Sequence, residues 1–206
     1  MAFLWVLFLS MIACSTLEPS GWNSSLSATD LASRSCIADL CIFPERLFIE
    51  QVASEYGGSK AANELCYKIG EKVLFLRIKA FDHPPEAHGI VESIELERSC
   101  NCSKAIRPKK SFRTLLTSRG LGVGDSYKKA IYLYGNPQWV RAKDASAAKN
   151  LKLNSKVVQI EKTRWELLLH GHDFVLGYVP DYSTLNALFI YIDHDEVAAI
   201  EASVSE

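Results

Sequence analysis

Histidines and carboxylates occur together near the C-terminal end of the sequence, and they are the clearest candidates for metal chemistry. His170 and His172 are two residues apart, so a strand would place both imidazoles on one face. Asp193 or His194 would then complete a divalent-metal site. The simpler interpretation is the exposed polar end of a strand. We therefore predict no metal site, no cofactor and no catalytic residue.

Recognised catalytic motifs do not occur in the sequence. It contains neither H-E-x-x-H nor G-x-S-x-G. Gly120, Gly122 and Gly124 alternate, but they lack the dinucleotide-binding spacing, and no Gly-Lys-Ser/Thr follows them. A hydrolase would need a nucleophile with a positioned base, or a metal with its ligands. We therefore predict that the chain is not an enzyme, with an extracytoplasmic metal-dependent enzyme as the alternative.

The N-terminus predicts export. Ala2–Ala13 is apolar with a single serine, which is too short for a membrane-spanning helix but fits a secretory signal. No Lys or Arg precedes it. Met11–Cys14 resembles a bacterial lipoprotein box, with Met where Leu is usual. We predict a signal peptide over residues 1–14 and a lipid on Cys14. Ordinary cleavage after Ser15 remains open, as does a buried first strand.

The cysteines agree with an oxidising compartment. The sequence contains no Cys-x-x-Cys motif, so zinc is not indicated, and disulfides are the natural interpretation. If Cys14 carries lipid, five thiols remain and one stays unpaired. We expect Cys36 or Cys41 to bond with Cys100 or Cys102, while free buried thiols are the alternative. The disulfide candidates are Cys36, Cys41, Cys66, Cys100 and Cys102.

Composition indicates a folded domain. The chain has 206 residues, of which 48% are hydrophobic and 23% charged, as in ordinary globular proteins. Its formal net charge of −1 argues against a general nucleic-acid binder, which needs a basic face. Residues 15–35 are rich in serine and threonine and predict a flexible tether.

One pattern occurs twice along the chain. A short amphipathic segment ends in Tyr-Gly at Tyr56 and again at Tyr134. Strand-like runs follow each, and each series closes with Val-x-x-Ile-Glu, at Val91–Glu95 and at Val197–Glu201. The unequal spacing predicts an insertion over Trp139–Val157. The pattern predicts an α+β fold of two tandem helix-plus-antiparallel-sheet units, forming a layered sheet with helices on one face.

Local signals set the expected boundaries. Pro44 is a favourable first-turn residue and predicts the start of the first helix, while Asp125 or Ser126 would cap the second. We expect a first repeat over residues 36–103, a linker over 104–111 and a second repeat over 112–206. Predicted strands cover Glu64–Ile69, Lys72–Phe81, Ile90–Glu97, Lys156–Glu161, Trp165–His170, Phe174–Pro180, Leu188–Asp193 and Glu196–Val204.

The run RGLGVGDSYKKAIYLYGNP, together with the strands after it and the closing DEVAAIEASV, resembles a known family repeat. It is similar to the β-lactamase-inhibitor-protein-like fold and to small outer-membrane lipoproteins of bacteria. The family motif is matched at Gly124, Ser126, Ala130, Gly135 and Pro137, with Ala130 replacing the usual Val. The resemblance implies a noncatalytic, secreted or membrane-anchored protein that binds other proteins. It implies no particular binding residues.

These observations favour a protein-interaction module outside the cytoplasm, either anchored to a membrane by lipid or secreted or periplasmic. A structural envelope component is a further alternative. We expect a protein partner, membrane contact through the lipid anchor, and no nucleic acid. Aromatic residues on an outward sheet face would supply the binding surface, and the candidates are Trp165, Phe174, Tyr178, Phe189 and Tyr191.

Overall fold

Ten strands and two helices form the part of the chain that the computed structural model describes, residues 36–70, 74–82, 88–98, 102, 104–142, 156–159, 171–178 and 186–204. The helices are α1, Ile49–Tyr56, and α2, Tyr127–Tyr134. The strands are β1 Cys36–Ile37, β2 Leu40–Cys41, β3 Glu64–Ile69, β4 Leu74–Ala80, β5 Val91–Glu97, β6 Trp139–Ala142, β7 Lys156–Gln159, β8 Phe174–Tyr178, β9 Asn186–Asp193 and β10 Glu196–Val204.

Strands β3 to β10 belong to one sheet with the order β3-β4-β5-β10-β9-β8-β6-β7. Neighbours along it are antiparallel, except that β7 adds to β6 in parallel at the edge. Strands β1 and β2 form a separate two-stranded hairpin. The pairing of β5 with β10 joins the first three strands of this order to the last five, and in it Glu95 lies opposite Glu201.

The predicted α+β architecture of two tandem units is wrong, and the fold is mostly β. The described helices have only eight residues each, while eight strands share one sheet. The prediction treated the Val-x-x-Ile-Glu strands as the ends of separate units. They instead pair with each other over Ser93–Glu97 and Ala199–Ser203, which removes two exposed sheet edges.

The apolar core lies between the large sheet and the two helices. Alternate strand residues point to this side, including Leu76 and Ile78 on β4 and Ile94 and Leu96 on β5, all fully buried. Tyr56 at the end of α1 stacks on Phe112, with ring centroids 4.1 Å apart. Buried residues of both helices and of the β1–β2 hairpin belong to the same cluster, so all three elements cover one face of the sheet.

Helix α1 begins at Ile49 rather than at Pro44. The preceding residues pair with the start of β5: Val91 donates to the Leu47 carbonyl across 2.7 Å, and Ile49 donates to that of Gly89 across 2.9 Å. This pairing holds the backbone extended, so the helix begins only at Ile49. Helix α2 starts as expected, with Ser126 as the capping residue.

Two disulfides occur among the described residues, and their pairing differs from the expected one. Cys36 bonds with Cys41 and Cys66 with Cys102. Cys36 and Cys41 lie opposite each other across the β1–β2 hairpin, with Cα atoms 4.1 Å apart, so each is the nearest partner of the other. The prediction that the chain forms disulfides is confirmed, although the expected partners were wrong, and the two bonds are consistent with an extracytoplasmic location.

Several expectations lie outside the described residues: the signal peptide over residues 1–14, the tether over 15–35, Cys14, Cys100, His170 and Trp165. Within the described ranges, no helix is both long and apolar enough to cross a membrane.

Candidate functional site

Charged and aromatic side chains lie on the face of the sheet opposite the helices, and we call this the charged face; its residues are buried or partly exposed. Strand alternation and cross-strand pairing place its residues together. They are Phe75, Arg77 and Lys79 on β4, Ser93, Glu95 and Glu97 on β5, Ala199 and Glu201 on β10, Phe189 and Tyr191 on β9, Val175 and Gly177 on β8, and Trp139 and Arg141 on β6.

An ion pair lies toward the β4 end of the charged face. Arg77 on β4 is directly opposite Glu95 on β5, and its Nε donates to Glu95 Oε2 across 2.9 Å. The Glu95 residue is only 6% exposed. A buried carboxylate needs such a partner, because an unpaired charge there would be strongly destabilising. The next strand adds Glu201, whose Oε2 accepts a 2.7 Å hydrogen bond from the Tyr191 hydroxyl.

Burial and mutual repulsion raise the pKa values of ionisable side chains near the Arg77–Glu95 pair. Burial, together with the nearby charge of Glu95, raises the pKa of Glu97 to about 7. Burial also raises the pKa of Glu201, although the hydrogen bond from Tyr191 opposes this shift. The pKa of Tyr191 itself is raised by burial and by the charge of Glu201. Glu97 can therefore gain or lose a proton near neutral pH.

A rigid aromatic group lies toward the β6 end of the charged face. The Trp139 indole covers Gly177 so closely that a Cβ at that position would come within 2.2 Å of Trp139 Cε2. The Phe189 ring lies 5.7 Å from that of Trp139, and the Arg141 guanidinium lies 4.5 Å from the indole centroid. These contacts fix the indole, while Trp139, Arg141 and Phe189 all remain partly exposed.

A cleft of about 270 Å³ opens at one end of the charged face, where β5, the β9–β10 turn and the residues before β8 meet. His172 Nδ1 lies 2.7 Å from Asp193 Oδ2, and the Asp173 amide donates to Asp193 Oδ1 across 2.9 Å. Across the cleft, Arg98 Nη2 lies 3.1 Å from Glu196 Oε2. The lining residues are Glu97, Arg98, His172, Asp193, His194, Glu196 and Ala198.

The structure brings together much of the histidine cluster singled out in the sequence. His172, Asp193 and His194 all line the cleft, while His170 lies outside the described residues. Among the residues that the structure describes, no group of three or more His, Cys, Asp or Glu side chains is arranged to hold a metal ion. The pairing of His172 with Asp193 gives the cleft an acid–base pair without a metal-binding geometry.

The expected aromatic surface is only partly correct. Phe174 and Tyr178 point into the core, whereas Phe189 and Tyr191 lie on the charged face. Sequence reasoning missed the roles of Trp139 and of the three glutamates. A signal was available, because the β5 sequence VESIELE alternates buried apolar residues with glutamates and a serine.

Comparisons with models of protein families, with curated proteins and with solved structures found no match.

Proposed function

We propose that this chain is a noncatalytic protein-interaction module that acts outside the cytoplasm and binds its partner through the charged face. The observation that carries the proposal is the fixed group of Trp139, Phe189 and Arg141 on the same face of the sheet as the buried Glu95 and its ion-pair partner Arg77. Tryptophan, tyrosine and arginine dominate the energetically important positions of protein interfaces. Because Gly177 and its neighbours already order the indole, a partner would lose little entropy by docking on it.

The charged face also offers specificity. Arg77 and Glu95 are paired, with side chains only 13% and 8% exposed, so their charges are oriented before any partner arrives. Preorganised charges favour a complementary partner and penalise others, which contributes more to specificity than to raw affinity. Two disulfides support action in an oxidising compartment.

Site-specific photocrosslinking in the native cell tests the proposal. A photoreactive amino acid at Phe189 reports on the charged face, and one at Tyr132, which is 87% exposed on α2, is the matched control. We expect a discrete protein adduct from position 189 and none from position 132. A purely structural envelope component would give the same adducts from both positions. The absence of any adduct at position 189 would reject the charged face as the interface.

We further propose that a lipid on Cys14 anchors the module to a membrane, with residues 15–35 as the tether. The apolar run and the Met-Ile-Ala-Cys sequence before it support this. Mass spectrometry of the mature N-terminus tests it, with a diacylglyceryl-modified Cys14 as the expected first residue. An unmodified mature protein beginning at Thr16 would remove the anchor and leave a secreted or periplasmic module.

A further inference from the structure

Four of the polar side chains that line the cleft form two pairs with each other. Arg98 pairs with Glu196, and His172 pairs with Asp193. Glu97 lines the same cleft and forms no ion pair among the described residues. Its Oε1 atom is buried and accepts no hydrogen bond from the described part of the chain. A buried carboxylate oxygen without a donor is costly, and such an atom indicates a missing donor.

The surroundings of Glu97 explain why the chain itself does not supply this donor. Arg77, the nearest cation on β4, donates both of its hydrogen bonds to Glu95 instead. Lys79 lies opposite Ser93, two cross-strand rows from Glu97 on the same face, and favours the ionised form only through its charge. Glu95 on the same strand and Glu201 on β10 both repel a negative charge on Glu97. The arrangement leaves an excess of negative charge beside the cleft whenever Glu97 is ionised.

We propose that the cleft binds one alkylammonium or guanidinium cation, with the Glu97 carboxylate as its counter-ion. The volume of about 270 Å³ lies just below the usual range for drug-sized ligands, so it suits a single small group. An ammonium or guanidinium group donates hydrogen bonds and accepts none, which fits an ionised carboxylate that lines the cleft without an ion pair among the described residues. The cation comes either from a free small amine or from a lysine or arginine side chain of a protein.

This inference goes beyond the proposed function, because the cleft can bind a cation whether or not a protein docks on the aromatic end of the charged face. It also predicts a dependence on pH. The cation binds the ionised carboxylate, so binding releases the proton that Glu97 carries at low pH. With half-ionisation near pH 7, affinity at pH 6 should be about tenfold weaker than at pH 8. Arg98, His172, Asp193, His194 and Glu196 line the same cleft.

The test uses n-butylguanidinium and n-butylammonium as probes in NMR titrations of the full chain, with uncharged n-butylurea as the ligand control. We expect saturable shifts at residues lining the cleft with both cations, and none with the urea. Glu97→Gln should lose the saturable binding, while Glu50→Gln, which removes an exposed glutamate on α1, should keep it. Equal binding of butylurea, or undiminished cation binding by the Glu97→Gln variant, would overturn the proposal.

A second measurement does not depend on the folding of any variant. Carboxyl-carbon NMR on the wild-type chain follows the titration of Glu97 directly, with and without the cation. We expect the midpoint near 7 to fall when n-butylguanidinium is added, because the cation stabilises the ionised form. An unchanged midpoint at saturating cation would reject the site. The photocrosslinking experiment at Phe189 uses no cation, so failure of either proposal is distinguishable from failure of the other.

A final comparison separates the two sources of the cation. A peptide with one arginine flanked by alanines is titrated beside n-butylguanidinium at the same pH. Tighter binding of the peptide assigns the site to a side chain of a protein, and equal binding assigns it to a free small cation. Failure of both ligands to bind would reject the proposal as a whole.

Discussion

The hydroxyl of Tyr67 donates a hydrogen bond to the carbonyl oxygen of Gly57 across 2.6 Å and so ties the end of α1 to strand β3. The same arrangement joins Tyr178 to the Gly135 carbonyl across 3.0 Å at the end of α2. Both glycines have positive φ angles, 93° and 77°, which a residue with a side chain rarely adopts. Each turn leaves a buried carbonyl oxygen that needs a donor, and a tyrosine from the sheet supplies it.

Replacement of Tyr67 by phenylalanine should remove one of these hydrogen bonds. We expect the free energy of unfolding to fall by about 1–2 kcal/mol, since a buried carbonyl oxygen loses its donor while the ring keeps its packing. Urea denaturation followed by fluorescence measures the change. Tyr132→Phe is the control, because that side chain is 87% exposed and its loss of a hydroxyl should leave stability unchanged. Equal stability of both variants would show that the Tyr67 hydrogen bond contributes nothing.

Gly177→Ala should displace the Trp139 ring. The added methyl would lie within 2.2 Å of the indole in its present position, so the ring must move or the strand must shift. We expect the free energy of unfolding to fall by about 1–3 kcal/mol, the usual cost of overpacking a core. We also expect a shift in tryptophan fluorescence. Binding to a partner on the charged face should weaken at the same time.

The matched control for this prediction is the same substitution in a Trp139→Ala background. Without the indole, the methyl has no large neighbour to meet. In the Trp139→Ala background, Gly177→Ala should therefore lower the free energy of unfolding much less. The difference between the two costs measures the coupling of the two positions. Identical costs in both backgrounds would mean that contact with the ring does not explain the effect.

The two disulfides should differ in their contribution to stability. The Cys66–Cys102 bond spans 36 residues and the Cys36–Cys41 bond spans 5. On the chain-entropy account, removing the longer bridge by a Cys66→Ala/Cys102→Ala double substitution should cost roughly 4 kcal/mol. Removing the shorter one in the same way should cost about 2 kcal/mol. Denaturation of both variants under oxidising conditions measures how much stability each bridge contributes. A larger loss of stability on removing the shorter bridge would contradict the prediction.

Glu97 should make folding stability depend on pH. Its pKa is raised from 4.5 to about 7, so the folded state holds the proton more tightly than the unfolded state does. The stability that Glu97 contributes is fully present below about pH 4.5 and is lost as the pH rises through 7. Glu97→Gln should make the decline between pH 4.5 and 7.5 shallower, though not absent, because burial also raises the pKa of Glu201.

Chemical denaturation at several pH values checks this prediction. At pH 8 the Glu97→Gln variant should be at least as stable as the wild-type chain, because the amide avoids burying a charge. Glu50→Gln should leave the slope unchanged, because its side chain is exposed on α1. A steeper decline in the Glu97→Gln variant would contradict the assignment.

Local elements were predictable because their signals are local. The alternation of apolar residues placed β3 and β10 at their observed bounds, and Ser126 with Gly135 marked the two ends of α2. The start of α1 was missed, because its determinant is a pairing with Gly89 and Val91 that lies far along the chain. A favourable first-turn proline cannot compete with two long-range backbone hydrogen bonds.

The sequence by itself determined the strand-rich pattern, the Tyr-Gly helix ends and the presence of cysteines suited to an oxidising compartment, since each depends on residue type and spacing. Only the tertiary structure decided that β5 pairs with β10, which brings Glu95 and Glu201 together. Strand order is set by non-local pairing, and periodicity does not encode it. That pairing merges all eight strands into one sheet. It also places Glu97 beside the cleft, where Glu97 has no ion-pair partner among the described residues.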